Sequence, residues 1–371
     1  MAHRHRMMDP ELAALQVLAP RITLDDVAAA RVLETTLAEQ TRDQPVGVRT
    51  RQVTATRRDG SPLSLRLYRP EGHEGRILPV LVFLHGGSFV TGGLHSEDNR
   101  CEFYAREAGC AVVAVDYRLA PEHPFPAGFD DCCDALDWVA GHAGDLGVDP
   151  DRMAVGGLSA GGCLAAGVAL RSRTSGPPLL LQMLLFPVLD ARLRTGSVAE
   201  FEDTPILIAR TVRQLWPLYL GELYPLVGAG GWSGSDGPAG ASESGGHAAG
   251  SGATGEDGRA NVYGAAVGAG AGVGVAAGAN GHPFAGAFPP LASPALVEDL
   301  SGAPPALVVA AQFDPLRDEA IEYAGRLLSA GVAVDLVHFA RGFHAFDSFG
   351  ASRLGRRCLD LQAGALRQAL V

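Results

Sequence analysis

Lysine is absent from the 371 residues, so all 30 positions counted as Lys or Arg are arginine. A Schiff-base amine, a P-loop lysine and a Ser-x-x-Lys catalytic pair are excluded with it. Positive charge is also in the minority: 41 Asp and Glu leave a formal charge of −11, and such a surface repels phosphate backbones, so nucleic acid is not an expected partner. No run of about eighteen strongly apolar residues occurs. The nearest, Val262 to Ala279, is largely Gly and Ala, so no membrane span is expected. Cys101, Cys110, Cys132, Cys133, Cys163 and Cys358 form no C-x-x-C pair and have no histidine spacing suited to zinc. Neither a metal nor another cofactor is expected. Met1 to Pro10 lacks an apolar signal-peptide core, and together with the scattered cysteines this points to a reducing cytoplasm.

What is present is a core-forming composition, 47% hydrophobic, with a pattern that changes along the chain. Two amphipathic helical stretches come first, around Leu12, Leu15 and Leu18 and then Val27, Ala30 and Leu33, the first opened by Asp9-Pro10 as cap and first helical residue. From Val53 to Tyr68 the pattern is β, turning at Asp59-Gly60-Ser61. Short apolar runs at Val80–Leu84, Ala111–Val115, Met153–Val155, Leu179–Phe186, Ala306–Ala311 and Val332–Val337 then alternate with helical stretches at 98–109, 127–142, 160–173, 317–330 and 351–370. Unbroken apolar strands separated by helices predict an α/β fold with a mostly parallel sheet covered on both faces. Residues 228–281, dominated by Gly, Ala and Ser without either periodicity, read as a disordered insertion. The expected organisation is N-terminal helices over 1–48, a first core segment over 49–227, the insertion over 228–281 and a second core segment over 282–371.

Gly157-Leu158-Ser159-Ala160-Gly161 falls between a strand and an Ala-rich helix, the context in which G-x-S-x-G raises a serine hydroxyl above a sheet. His85-Gly86-Gly87-Ser88 follows an earlier strand, where glycines let backbone N–H groups approach a ligand. The N–H groups of Gly86, Gly87 and Ala160 are the candidate oxyanion hole, and losing one such donor costs about 3–4 kcal/mol. The remaining partners of a serine nucleophile should follow in the order acid, histidine, each after a later strand. Asp314 and His344 stand there. Asp318 is the rival carboxylate, but one turn into the helix it suits surface or capping contacts. His123 sits too early for that order, and His85 is read as an anchor for the glycine loop.

Four stretches together make the chain similar to a known family: His85-Gly86-Gly87, Asp116 to Ala127, Ser159-Ala160-Gly161-Gly162 and Asp314 to Glu319. It resembles the hormone-sensitive-lipase-like branch of bacterial esterases, related to arylacetamide deacetylase, from about Val53 to the C-terminus outside 228–281. The resemblance implies an eight-stranded α/β-hydrolase sheet and a helical cap made from the N-terminal helices and the segment near 190–225. It also implies metal-free hydrolysis of short- to medium-chain acyl esters, the substrate being a small molecule. Leu158 stands where the family usually has an acid, and Ser88 where a third glycine is usual. Phe89, Trp216 and Phe343 are candidates to line the pocket. An amidase or arylester deacylase using the same triad is the alternative, and a ligand-binding homologue the more distant one, since related plant hormone receptors lose the histidine that His344 supplies here. A homo-oligomer is compatible with the sequence. Because no metal-ligand spacing appears, ester turnover should be unchanged after dialysis against EDTA; loss of activity that zinc restores would contradict this reading.

Overall fold

A computed structural model describes residues 7–15, 21–44, 46–228 and 288–370; nearly all of the 228–281 insertion read from composition lies outside these residues. The sheet has eight strands in the order β1-β2-β4-β3-β5-β6-β7-β8. These are β1 (Val48–Thr56), β2 (Pro62–Pro70), β3 (Leu78–Leu84), β4 (Ala111–Val115), β5 (Val148–Leu158), β6 (Leu181–Leu185), β7 (Ala306–Phe313) and β8 (Val334–Phe343). β2 runs antiparallel to β1 and β4, and every other pairing is parallel.

Burial explains which strands read clearly in the sequence. β3 and β4 are buried at every position, as a strand covered on both faces must be, so they are unbroken Val, Leu and Ala runs. β8 is an edge strand with many exposed positions, and it continues six residues beyond the apolar run, to Phe343, pairing Phe313 with Phe343 after a register shift. Residues 338–343 fall outside the apolar run because an edge strand needs no apolar outer face.

In chain order the helices are α1 (Pro10–Leu15), α2 (Val27–Gln40), α3 (Asp98–Ala108), α4 (Ala127–Gly141), α5 (Ala143–Leu146), α6 (Ala160–Ser172), α7 (Gly196–Glu200), α8 (Ala209–Leu220), α9 (Arg317–Ser329) and α10 (Arg353–Leu370). Asp9 caps α1, its carboxylate accepting from Glu11 N at 3.0 Å, and Asp26 caps α2 through Ala29 N at 3.0 Å. α6 is buried from Ala160 through Leu170, which its small side chains permit: a Cβ on Gly167 would stand 2.9 Å from Leu291 O and 3.0 Å from the Phe129 ring. α10 buries Gly355, Cys358, Gln362, Leu366 and Leu370, one face at helical spacing. The core beneath it includes Phe83, whose ring meets Tyr104 edge-on at 5.7 Å.

Two substitutions should separate packing from capping. Phe83→Ala removes a fully buried ring from the centre of the sheet and should lower unfolding free energy by about 3–5 kcal/mol. Asp26→Ala, which removes only the α2 cap, should cost about 1 kcal/mol. Urea unfolding of both variants checks the ranking.

Candidate active site

The turn after β5 is glycine-rich because its backbone passes almost against the end of β3. A Cβ on Gly161 would lie 2.0 Å from Leu84 O and 2.5 Å from His85 O, and one on Gly157 would lie 2.2 Å from Gly161 O. Ser159 sits between them at φ 57°, ψ −114°, a sparsely populated region that costs about 1–3 kcal/mol. Backbone bonds hold it there: Ser159 N–H donates to Leu185 O at 2.8 Å, and Ser159 O accepts from Cys163 N and Val188 N, each at 3.2 Å. Ser159 thus stands at the carboxyl end of β5 and the N-terminus of α6.

β3 ends in the second glycine motif. Gly87 has φ +114°, and a Cβ there would meet Thr91 O at 2.2 Å; Ser88 and Phe89 follow at φ 57° and 63°. This left-handed run turns Gly87 O back into the loop, where Val90 N and Thr91 N donate to it at 3.0 and 2.9 Å. Among the described residues, none accepts a hydrogen bond from the N–H of Gly86, Gly87 or Ala160. Leu158 carries no charge to this loop: its side chain lies 3.5 Å from where a Gly86 Cβ would stand.

The loop is supported from behind. His85 Nδ1–H donates to Gly86 O at 2.6 Å, and the ring stacks on Tyr117 at 4.1 Å, whose hydroxyl donates to His85 O at 2.8 Å. Only glycine fits at 92, where a Cβ would stand 2.4 Å from His85 Nδ1. Arg118, next to Tyr117, forks onto the fully buried Asp131, which Arg57 also engages at 2.7 Å. On the other side Arg31 of α2 donates through Nε to Val90 O at 2.8 Å and through Nη2 to Ala120 O at 3.0 Å. Phe89 stacks on Tyr219 of α8 at 3.8 Å and lies 5.9 Å from Trp216. Phe343, by contrast, is in the core cluster, 5.9 Å from Phe349.

Asp314 and His344, at the ends of β7 and β8, are brought together: His344 Nδ1–H donates to Asp314 Oδ2 at 2.9 Å, and both side chains are buried. Asp314 Oδ1 accepts from Leu316 N at 2.9 Å, which fixes the carboxylate. With Nδ1 donating, Nε2 is the ring's basic nitrogen. Ser159 is linked to this pair through β6, since Phe186, next to its partner Leu185, sets its ring edge-on to His344 at 5.9 Å. Asp318 is committed elsewhere, Oδ2 accepting from Ser197 N at 2.7 Å at the start of α7 and Oδ1 from Arg317 Nε at 2.7 Å.

Glu319 belongs to the Asp314 stretch but was given no role from the sequence. It is 1% exposed, its Oε1 accepting from Leu189 N at 2.6 Å and Asp190 N at 3.3 Å. Burial pushes its carboxyl well above the usual range, against the pull of its backbone donors and with the nearby Asp190 and Asp314 charges adding to the rise, and the side chain props the segment after β6. Its long-range partners give no sequence signal.

Strand-end Ser, Asp and His on a mostly parallel sheet are the arrangement of an α/β-hydrolase. A family model described as alpha/beta hydrolase fold matches residues 81–225 and 281–348, and the chain belongs to this family, in its hormone-sensitive-lipase-like branch. It is 32% identical over 341 residues to Esterase LipI of Mycobacterium tuberculosis, covering 90% of this chain and 86% of that one. It is also 32% identical over 302 residues to Ethyl acetate hydrolase of Pseudomonas putida, covering 81% and 76%. Among solved structures, Bacterial Heroin Esterase superposes with a TM-score of 0.79 at 33% identity over 99% of both chains. The chain is a carboxylic-ester hydrolase.

Burial holds the His85 imidazole down at about 4, so it is neutral in the fold at pH values where it is charged in the unfolded chain. The unfolded state binds the extra proton between about 6.5 and the folded value, so stability falls as pH drops through that window, by about 3 kcal/mol in all. Glu319 acts oppositely, losing stability as pH rises above the ordinary carboxylate range. His85→Asn should flatten the fall in urea-derived stability between pH 7 and pH 4, and Glu319→Gln should gain on the wild type as pH rises. An unchanged acid-side slope in His85→Asn would show that the ring is not buried neutral.

Proposed function

We propose that the chain hydrolyses short- to medium-chain acyl esters through an acyl-enzyme, with Ser159 as nucleophile, His344 as general base and Asp314 as the acid that orients it. The observation that carries this reading is the buried 2.9 Å contact between His344 Nδ1 and Asp314 Oδ2, with Phe186, next to the residue that fixes Ser159 N, set edge-on to the histidine. Asp314 fixes the Nδ1–H tautomer and stabilises the imidazolium, so Nε2 takes the Ser159 proton as the hydroxyl attacks the ester carbonyl. The N–H groups of Gly86, Gly87 and Ala160 receive the developing oxyanion, which their freedom from other acceptors supports. The imidazolium returns its proton to the leaving alkoxide. His344 then deprotonates a water that attacks the acyl-enzyme, and the proton passes back to Ser159 as the acid leaves.

We assign the cap to α1, α2, α7 and α8. The attachment of α2 and α8 to the glycine loop supports this, and Phe89 and Trp216 would face the acyl chain. A pocket closed by helices accommodates a limited tail. The six cysteines are all unpaired and buried, which favours a reducing compartment.

Ser159→Ala should abolish hydrolysis of p-nitrophenyl butyrate in a folded protein. Asp314→Asn should lower kcat by about 10⁴-fold, whereas Asp318→Asn, which loses a helix contact, should keep turnover within a few-fold; the reverse order would exchange the two carboxylates. Across p-nitrophenyl esters the rate should peak at short to medium acyl chains, and fastest turnover on emulsified long-chain triglyceride would instead mark a lipase.

A further inference from the structure

The segment that carries His344 is held at two places after the ring itself. Phe346, in the short turn Phe346–Ser348, packs its ring 5.7 Å from Phe186 and 5.2 Å from Phe339. Asp347 is then drawn to α3. Its carboxylate has no exposed side-chain surface and meets the guanidinium of Arg100, itself 4% exposed, through Nη1 to Oδ2 at 2.7 Å and Nη2 to Oδ1 at 3.1 Å. Gln362 of α10 adds a hydrogen bond from Nε2 to Asp347 Oδ2 at 2.7 Å. Arg100 also donates to Ser348 Oγ at 3.2 Å and through Nε to Glu97 Oε2 at 2.8 Å.

The far end of this contact is rigid. α3 is tied to β2 because Asp98 accepts from Arg66 Nη1 at 2.6 and 2.8 Å and from the Tyr68 hydroxyl. Glu97 closes the segment that leaves the glycine loop. Arg100 therefore touches both the segment running on from the candidate oxyanion loop and the turn running on from the histidine. A buried pair of this kind is a poor means of gaining stability, because desolvating both charges consumes most of their attraction; what a planar fork on a carboxylate supplies is fixed geometry.

We infer that Arg100 and Asp347 are positioning residues that hold His344 at the distance and angle from which its Nε2 reaches Ser159. This rests on the triad proposed above. Neither side chain touches the substrate; they act through the turn that follows the histidine. A nucleophile–base pair works over a hydrogen-bond length, and a displacement of about 1 Å can cost about a hundredfold in rate. Ester binding should change little, because the loop and pocket residues keep their own supports. Turnover should therefore fall while KM does not.

The test uses the full chain with p-nitrophenyl butyrate, at a temperature where each variant is folded by circular dichroism. Asp347→Asn and Arg100→Met should each lower the unfolding midpoint and reduce kcat by about a hundredfold, with KM within about threefold of the wild type. The double variant Arg100→Met/Asp347→Leu removes the carboxylate that Arg100→Met alone strands at 347, so its midpoint should rise above that of Arg100→Met while kcat stays low. Recovery of wild-type kcat together with the midpoint would show that the pair only stabilises the fold and would overturn the inference. Should the double variant not fold, Arg100→Lys decides: it keeps the charge but not the fork, and a folded Lys variant with wild-type kcat also overturns it. His344→Ala, run alongside, separates the two claims. If it is inactive while Asp347→Asn and Arg100→Met turn over normally, only the positioning role falls; if it retains turnover, the triad falls and takes this inference with it.

Discussion

The closeness with which the turn after β5 passes the end of β3 governs everything at the carboxyl edge of the sheet. Leu84 and His85 offer their carbonyls to the space a Gly161 Cβ would need, so the backbone can approach only where side chains are missing. That approach places the start of α6 beside the glycine loop, and it forces Ser159 into the positive-φ geometry that lifts it from the sheet. The parallel register from β5 to β8 then sets the ends of the later strands along the same edge. Strain at one residue is tolerated because strands on either side fix it.

Arginine without lysine shapes the polar framework. Asp98 gathers Arg66 and Arg42, Asp131 gathers Arg57 and Arg118, and Asp347 gathers Arg100. Each acid is buried, and each joins elements distant in sequence. A guanidinium suits this use because it is planar, permanently charged and weakly hydrated compared with an ammonium. These contacts tie the hairpin β1–β2 to α4, β2 to α3, and α3 to the turn after β8, so helices on the sheet are fixed in angle as well as held by apolar packing.

Much of this was legible before the structure. The central strands announced themselves through unbroken apolar runs, and the Ser, acid, His order put Ser159, Asp314 and His344 at strand ends. The limits have physical causes. β8 ran past its apolar stretch because edge pairing is made by the backbone, which leaves no mark in side-chain pattern. Asp318 was read as a surface or capping residue, and the helix start it serves, at Ser197, lies more than a hundred residues away. Arg100 looks like any surface arginine on a helix until its partner in the turn after His344 is seen, and Glu319 looks like a solvated acid until Leu189 and Asp190 surround it. Sequence patterns report what an element does to its own periodicity, and these residues act across elements.

Arg31 reaches from α2 to the carbonyls of Val90 and Ala120, so the earliest part of the chain reinforces a loop whose own motif lies more than fifty residues further on. An α/β-hydrolase core delimited by its sheet would begin near Val48 and look self-sufficient. Trimming to that boundary, as one might to obtain a minimal catalytic scaffold or a fusion partner, would strip the donor that Arg31 gives to Val90 O and the one it gives to Ala120 O. The boundary of the sheet is therefore not the boundary of the framework that holds the glycine loop.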